Sequence, residues 1–570
     1  MQFELRGIEL QAGEPVLPWI LHNRGVEDID SFLKAEESWV GKPTDLDNVE
    51  KAYQALMKNE GKILTIVDSD MDGYCSSAIL WNYLNKAFGL EVDYFIHEGK
   101  QHGISDALDK ISEGYSLVFV PDAGSNDGKY MAEFPDTTFI VLDHHDYNTD
   151  NPVSDNMILV NAQLSPNYNN KSVSGTGVTW QFLRYIDEKQ GTNFANNYWD
   201  MVAVSIVSDM MELNTLENRA ILNRGLKDPT NNMILALGDK ASYQLAGELT
   251  PKGVAFYVAP LVNAMCRVGT LDQKERMFLA FAVDEHYVES QARGSNGELV
   301  DVATESAREC VNAKGKQSRL RDKMANLSEG YIDEYDLERE PILVVSMDSR
   351  FVKVPTEMNG LSAQEISKRY DRPVLLGRVN SEGYLRGSVR APEQIPVKSF
   401  KDFLAESNLF EYTEGHASAF GYSIHESKLN KLNDYFHTQW NAEKGSISYP
   451  VDYIFDKITP ELKQLCQVRY DNRFLWGRGM EEPKVGGRLS TSQAETQILG
   501  RTGQTVKITK GGIDFLIMKM PVEEVESLIT KPYYEIEFVG ECDLNHFRGT
   551  IKPQVKITDY EIKERSQFLF

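Results

Sequence analysis

The sequence predicts an α/β protein in which a parallel-sheet unit is followed by a connecting helix, a smaller α/β unit and a carboxy-terminal β barrel. Three observations carry that prediction. Short, continuous apolar runs alternate with segments of helical composition, the mark of parallel strands buried on both faces. Several of those runs end in aspartate or histidine. After a charged stretch with no strand signal, the α/β pattern reopens and gives way to strictly alternating β signals.

From Ile20 to Leu56, apolar residues such as Leu33, Val49, Ala52 and Leu56 recur at helical spacing. The runs Lys62 to Val67, Val92 to Ile96, Leu117 to Val120, Phe139 to Leu142 and Met157 to Val160 read as strands, and Ser76 to Phe88 as an intervening helix. A helical region follows from about 175 to 290, including the apolar run Met201 to Val207. The charged segment 301 to 330 reads as the connecting helix. Pro341 to Val345 and Pro373 to Val379 then open the second α/β unit, which runs to about residue 440. In Tyr534, Ile536 and Phe538, and again in Ile551, Val555 and Ile557, apolar and polar residues alternate as in a small barrel. The expected division is 1–300, 301–335, 336–445 and 446–570.

Composition narrows the function classes. The 570 residues are 41% hydrophobic and 25% charged, an ordinary globular balance for several domains, with no run long enough to span a bilayer. The amino terminus lacks the layout of a secretory signal, so the expected location is cytoplasmic. Five scattered cysteines without a CxxC pair fit neither a disulfide framework nor a thiolate zinc site. A formal charge of −25 argues against a protein that coats duplex nucleic acid. Arg308, Lys314, Lys316, Arg319, Arg321 and Lys323 nevertheless make one stretch basic enough to face phosphates, with a solvated helix as the equal alternative.

The chemistry lies at the strand ends. The first strand runs into Asp68, Asp70 and Asp72, the third into Asp122, and the fourth into Asp143, His144 and His145. In a parallel sheet these ends share one edge, where sites are assembled. Asp209, closing the Val202 to Val207 run, can point into the same space. Carboxylates held this close protonate or are neutralised by cations. Oxygen donors with one or two imidazoles suit manganese or magnesium better than zinc. Two such ions can activate water and stabilise a leaving oxygen, so hydrolysis of a phosphate ester is the expected reaction class.

The strings VDSDMDG, PDAGSND, LDHH and VSDMMEL resemble, in order, the four motifs of the DHH phosphoesterases. LHNRGVEDIDSFL, SGTGVTWQFL and APLVNAMCRVG resemble elements of the RecJ branch of that family. GLSAQEISKRYDRPVLL, YLRGSVR and EGHASAFGYSI resemble its DHH-associated domain, and YYEIEFVGECDLNHFRGTIKPQVKITDYEI its OB-like barrel. The resemblance implies a single-strand-specific DNA exonuclease working from the 5′ end in repair, recombination or replication, with two Mn2+ or Mg2+ ions. It implies metal ligation by Asp70, Asp72, Asp122, His144 and Asp209, with Asp68 as a further ligand or supporting acid. It implies contact of His145 with the scissile phosphate, orientation of the imidazoles by Asp143, and a terminal-phosphate grip by Arg267, Ser388, Arg390 and His416.

Three departures stand out: Glu414-Gly415-His416 replaces GGH, Asn263-Ala264-Met265-Cys266-Arg267 loses a glycine of NAxGR, and the segment after Ile96 lacks an arginine that Lys100 or His102 would have to replace. Phe474 and Trp476 are weak candidates for base stacking against a preferred reading as core. The expected partner is single-stranded DNA, with room for a replication or repair protein, no membrane, and a monomeric chain. Two alternatives remain: a phosphodiesterase of short oligoribonucleotides or cyclic dinucleotides, and a non-catalytic replication scaffold.

Overall fold

Strand runs rich in Val, Ile, Leu and Phe order the first sheet. In the computed structural model, which describes all residues except 12, 100, 351, 393–394, 441–447, 532, 548–549 and 565–570, β1 (Gln2–Leu5) precedes the sheet strands β2 (Ile63–Val67), β3 (Val92–Ile96), β4 (Leu117–Pro121), β5 (Thr138–Asp143) and β6 (Met157–Asn161). The five sheet strands pair in parallel in the order β3-β2-β4-β5-β6. Side chains alternate between two cores. Ile63, Val67, Leu117, Phe119, Ile140 and Leu142 face one layer, and Leu64, Ile66, Val118, Val120, Phe139 and Val141 the other. The chain reverses its direction of travel across the sheet between β2 and β4, and a crevice opens at the strand ends there.

The helix after β2 starts at Met71, five residues earlier than composition suggests, because Asp70 caps it by accepting from the N–H groups of Asp72 and Gly73 at 3.0 and 3.1 Å. A short hairpin, β7 (Tyr287–Glu289) and β8 (Leu299–Asp301), leads into one 33-residue helix, Val302–Glu334, capped by Asp301. The basic stretch of this helix is only partly paired, and Lys316, Arg319 and Lys323 are exposed. Arg308 pairs with Glu305, Arg321 with Asp322, and Lys316 donates to the Val268 carbonyl at 2.7 Å.

The second sheet contains β9 (Leu343–Asp348), β10 (Val374–Val379), β11 (Tyr384–Arg390), β12 (Tyr412–His416) and β13 (Ala419–His425), in the order β12-β13-β11-β10-β9. The helix Asn359–Tyr370 packs on it, with its amino-terminal end against β11.

The carboxy-terminal strands are β14 (Ser448–Val451), β15 (Tyr453–Phe455), β16 (Lys484–Ser492), β17 (Thr496–Leu499), β18 (Thr505–Lys510), β19 (Ile513–Ile517), β20 (Tyr533–Phe547) and β21 (Thr550–Glu564). All but β14 form one mixed sheet, β15-β16-β20-β21-β19-β18-β17. The expected barrel is thus an open OB-like sheet: among the described residues nothing pairs β15 with β17. Its length comes from the two 15-residue strands β20 and β21, which bend at a bulge between Val539 and Gly540. Trp476 is core, with its indole N–H donating to the Arg469 carbonyl, and Phe474 is half-buried.

The amino-terminal segment belongs to this core. Val16, Trp19, Ile20, Leu21 and Phe32 pack with Leu462, Trp476, Phe515 and Phe538, and β1 pairs in parallel with β14. The first residues, grouped by sequence with the parallel-sheet unit, therefore bury their apolar face against the far end of the chain. No described helix is long and apolar enough to cross a membrane.

Glu537 on β20 accepts from Lys563 at 2.6 Å and Arg488 at 2.5 Å. Burial would raise its pKa, but these hydrogen bonds, led by that from Lys563, depress it from 4.5 to about 2. A depressed carboxylate stabilises the fold above its unfolded value and loses that contribution as pH falls through the folded one. The gap in melting temperature between wild type and Glu537→Gln should therefore be full at pH 7 and should narrow between about pH 4.5 and 2.

Candidate metal centre

Each acid reaches the crevice by a different local route. The chain leaves β2 at Val67, Asp68 and Asp70 follow in the loop, and Asp72 lies in the first turn of the helix. A Cβ on Gly73 would fall 2.5 Å from Asp68 Cβ, so only glycine lets the helix start this close to the strand. Asp122 leaves β4 with a left-handed φ of 63°, and its N–H bonds the Leu142 carbonyl at 2.8 Å. Asp143 ends β5, and Asp209 closes the helix Trp199–Ser208.

The predicted residues converge. His144 Nε2 lies 3.2 Å from Asp122 Oδ1, 3.3 Å from Asp209 Oδ2 and 4.0 Å from Asp72 Oδ2. Asp68, Asp70 and Asp122 bring one carboxylate oxygen each within 4.8 Å of one another, and an oxygen of Asp72, an oxygen of Asp209 and a ring nitrogen of His144 form a second such group. Asp68, Asp72, Asp122 and His144 are buried. Asp68 Oδ1, Asp122 Oδ1 and His144 Nε2 are buried without a hydrogen-bond partner, which is costly unless a cation takes the lone pairs.

The electrostatics agree. Burial, then repulsion from Asp72, Asp70, Asp68 and Asp209, pushes Asp122 far above the usual carboxylate range. Asp209 rises to about 8 through burial and the charges of Asp72 and Asp70. Burial also raises Asp68 and Asp72, and lowers His144 despite the acids around it. A neutral imidazole among oxygens that resist ionisation is a donor set made for divalent cations. Asp143 behaves oppositely. Its Oδ1 accepts from the His144 N–H at 2.7 Å and from His145 Nδ1 at 2.8 Å, and its Oδ2 from the Ser125 N–H at 3.0 Å. Burial is outweighed by these bonds, so Asp143 stays below the usual range, while the same bond overcomes burial and lifts His145 to about 10. His145 is thus a half-exposed cation at the rim.

Several residues contribute in ways the sequence did not reveal. The helix Gly175–Gln190 opens at the site, and the Gly175 and Thr176 N–H groups each hold Asp72 at 2.8 Å. Asn263 Oδ1 accepts from the Met71 N–H at 3.1 Å, tying the helix Ala259–Val268 to the start of the metal-site helix. His102 Nδ1, one of the two suggested replacements for the missing arginine, stands 2.7 Å from Asp68 Oδ2 and so partners a carboxylate of the site. Lys100, the other suggested replacement, lies outside the described residues.

The second group of predicted residues comes together only in part. A Cβ on Gly360 would meet Arg390 Nη2 at 2.8 Å and Ser388 Oγ at 3.4 Å, so both side chains lie against the same helix start. Arg267, whose Nη1 donates to the Asn263 carbonyl at 3.4 Å, is close enough to lower the pKa of Arg390, itself already lowered by burial. His416 stands apart on the outer hairpin, exposed, facing Ala419, which in turn pairs with Arg390.

Residues 62–206 match the DHH family, N-terminal domain. YorK of Bacillus subtilis (strain 168), a prophage-derived protein carrying the name of a single-strand DNA-specific exonuclease, is 32% identical over 100% of this chain and 99% of its own length. The single-stranded-DNA-specific exonuclease RecJ of the same organism is 23% identical over 97% of this chain and 69% of its own. The fold is that of a crystal structure of RecJ in complex with Mn2+ from Thermus thermophilus, with a TM-score of 0.73 at 20% identity, covering 99% of this chain and 80% of that one. Motifs, sheet order, converging acids and an end-to-end match to YorK leave one assignment: the chain belongs to the DHH family, in its RecJ-like branch.

Proposed function

We propose that the chain is a metal-dependent exonuclease that releases 5′-mononucleotides from the 5′ end of single-stranded DNA, in repair, recombination or replication. The observation that carries this reading is the convergence of Asp68, Asp70, Asp72, Asp122, His144 and Asp209 on one sheet edge. Similarity to YorK and RecJ along nearly the whole chain supports the choice of substrate.

In this reading Asp68, Asp70 and Asp122 would hold one Mn2+ or Mg2+ ion, and Asp72, His144 and Asp209 a second. Bound there, such ions would supply water activation at neutral pH and charge for the leaving oxygen. His145, kept protonated by Asp143, offers a charged donor to the scissile phosphate. Arg267 and Arg390 present guanidinium forks to the terminal phosphate, with Ser388 and the start of the helix Asn359–Tyr370 beside them; His416, on the outer hairpin two strands from Arg390, would have to move in to join the grip. The parallel-sheet unit, up to about residue 300, and residues 336–445, joined by 301–335, form the two walls of the passage, and 446–570, with the amino-terminal segment packed on it, guides the strand.

Asp143→Asn should lower kcat about 10- to 100-fold while leaving metal-induced stabilisation in place, since it disorients His145 without emptying either carboxylate set. Paired kinetic and melting measurements check both halves. The test of the reading is a time course on single strands labelled at either terminus, with manganese or magnesium. Label should leave the 5′ end first, as mononucleotide. Release from the 3′ end, or turnover of a dinucleotide as fast as of a long strand, would overturn it.

A further inference from the structure

We infer that Arg478, carried by the carboxy-terminal unit, grips the phosphate backbone of the uncut part of the strand, on the side of the metal cluster away from the terminal-phosphate pocket. The inference rests on the exonuclease reading above. It begins with a turn. Gly477 N–H donates to the Met480 carbonyl at 2.9 Å and Met480 N–H returns the bond at 3.1 Å, which places Arg478 and Gly479 at a tight tip, with Gly479 at a φ of +73°.

That tip is fastened to the loop after Asp209. The Leu213 N–H donates to the Arg478 carbonyl at 2.8 Å. A Cβ on Gly477 would strike Leu213 Cδ1 at 2.3 Å, so the turn docks without clearance. Upstream, Arg219 Nη1 holds the Phe474 carbonyl at 2.7 Å, and Trp476 is locked in the core. The backbone of Arg478 is therefore fixed relative to the metal site, although its residue comes from the unit that begins near residue 446.

The side chain is not used in that docking. Arg478 is exposed, and among the described residues its guanidinium has no hydrogen-bond or ion-pair partner. Its charge lies close enough to Asp209 to oppose the rise in that carboxylate's pKa. Arg267 and Arg390 belong to a different part of the surroundings, where Asn263 of the Arg267 helix accepts from the N–H of Met71, next to Asp70. The acidic cluster thus has cations near two of its members, Arg478 near Asp209 and the Arg267 helix near Asp70. A polyanion crossing a net-acidic crevice needs such cations at its entry as well as at its end. With the terminal phosphate held by Arg267 and Arg390 and the scissile bond over the carboxylates, the next phosphates fall toward Asp209 and Arg478.

The test compares wild type, Arg478→Ala and Arg478→Lys on a long single strand and on a dinucleotide. Arg478→Ala should raise KM for the long strand about tenfold, the usual loss for one charge-assisted contact, and change kcat little. The dinucleotide, with no phosphate on that side, should show a much smaller shift in KM. Strand binding followed by fluorescence anisotropy in chelator should show the salt slope falling by about 0.7, and Arg478→Lys should recover most of it. Melting curves that superimpose on wild type exclude a folding defect. If the wild-type enzyme degrades the long strand but Arg478→Ala keeps both KM and salt slope, or loses them equally for the dinucleotide, this inference fails alone. If wild type prefers the dinucleotide, the exonuclease reading fails and takes the inference with it.

Discussion

Asp122→Asn should abolish hydrolysis and, in metal-free protein, raise the melting temperature. The two effects have one cause. Asp122 is buried among Asp72, Asp70, Asp68 and Asp209, and its carboxylate is neither hydrogen-bonded at Oδ1 nor able to ionise cheaply. Without cations this arrangement opposes folding; with them it becomes a binding site. Replacing the acid by its amide keeps the shape and removes the repulsion. The loss in kcat should be about 10^3-fold or more, corresponding to several kcal/mol of transition-state stabilisation. The metal-free gain should be about 2 °C or more. Because the raised pKa means that the folded state holds its proton more tightly than the unfolded one, the destabilisation grows as pH rises above 3.8. The gain should therefore be clear at pH 7 and vanish below the ordinary carboxylate value. Melting scans in chelator and kinetic assays in manganese read the two halves separately.

Gly175→Ala should cost nearly as much without touching any acid. Gly175 opens its helix between two carboxylates. Its own N–H holds Asp72 at 2.8 Å, while a Cβ would lie 2.2 Å from Asp122 Oδ1 and 2.6 Å from its Cγ. Either Asp122 is pushed out of place or the helix retreats and pulls the Asp72 donors with it. Displacements of this order cost about 10^2-fold in rate, and weakened support of a metal ligand about 10- to 100-fold in affinity. The expected result is a fall in kcat of about 10^2-fold with a weaker manganese-induced rise in melting temperature. Gly330→Ala is the control. It lies in the connecting helix, where an added Cβ would meet nothing within 4 Å, so helix propensity alone should make it neutral or mildly stabilising, with activity unchanged.

What the sequence discloses follows from how each element is buried. The parallel strands are covered on both faces, so they appear as continuous apolar runs, and their acids stand out because each comes directly after such a run. The long connecting helix is legible because 301–330 has no competing strand signal. The pairing of Gln2–Leu5 with Ser448–Val451 is not, since both strands are short and partly exposed and their partnership spans the whole chain. Nor does alternation in β20 and β21 tell an open sheet from a closed barrel, because both bury every second residue. The roles of His102, Asn263 and the Gly175–Thr176 amides are hidden for another reason: they depend on who stands opposite, which only the folded chain decides. Arg478 is hidden likewise, in a segment whose aromatic neighbours draw attention but serve the core.

Counting bound ions tests the central claim most directly. Calorimetric titration of manganese into metal-free protein should reveal two ions per chain, with Asp122→Asn losing at least one and His144→Ala weakening the second. A wild-type chain that binds no manganese, or variants that bind it as tightly as wild type, would contradict a metal centre built from these four segments.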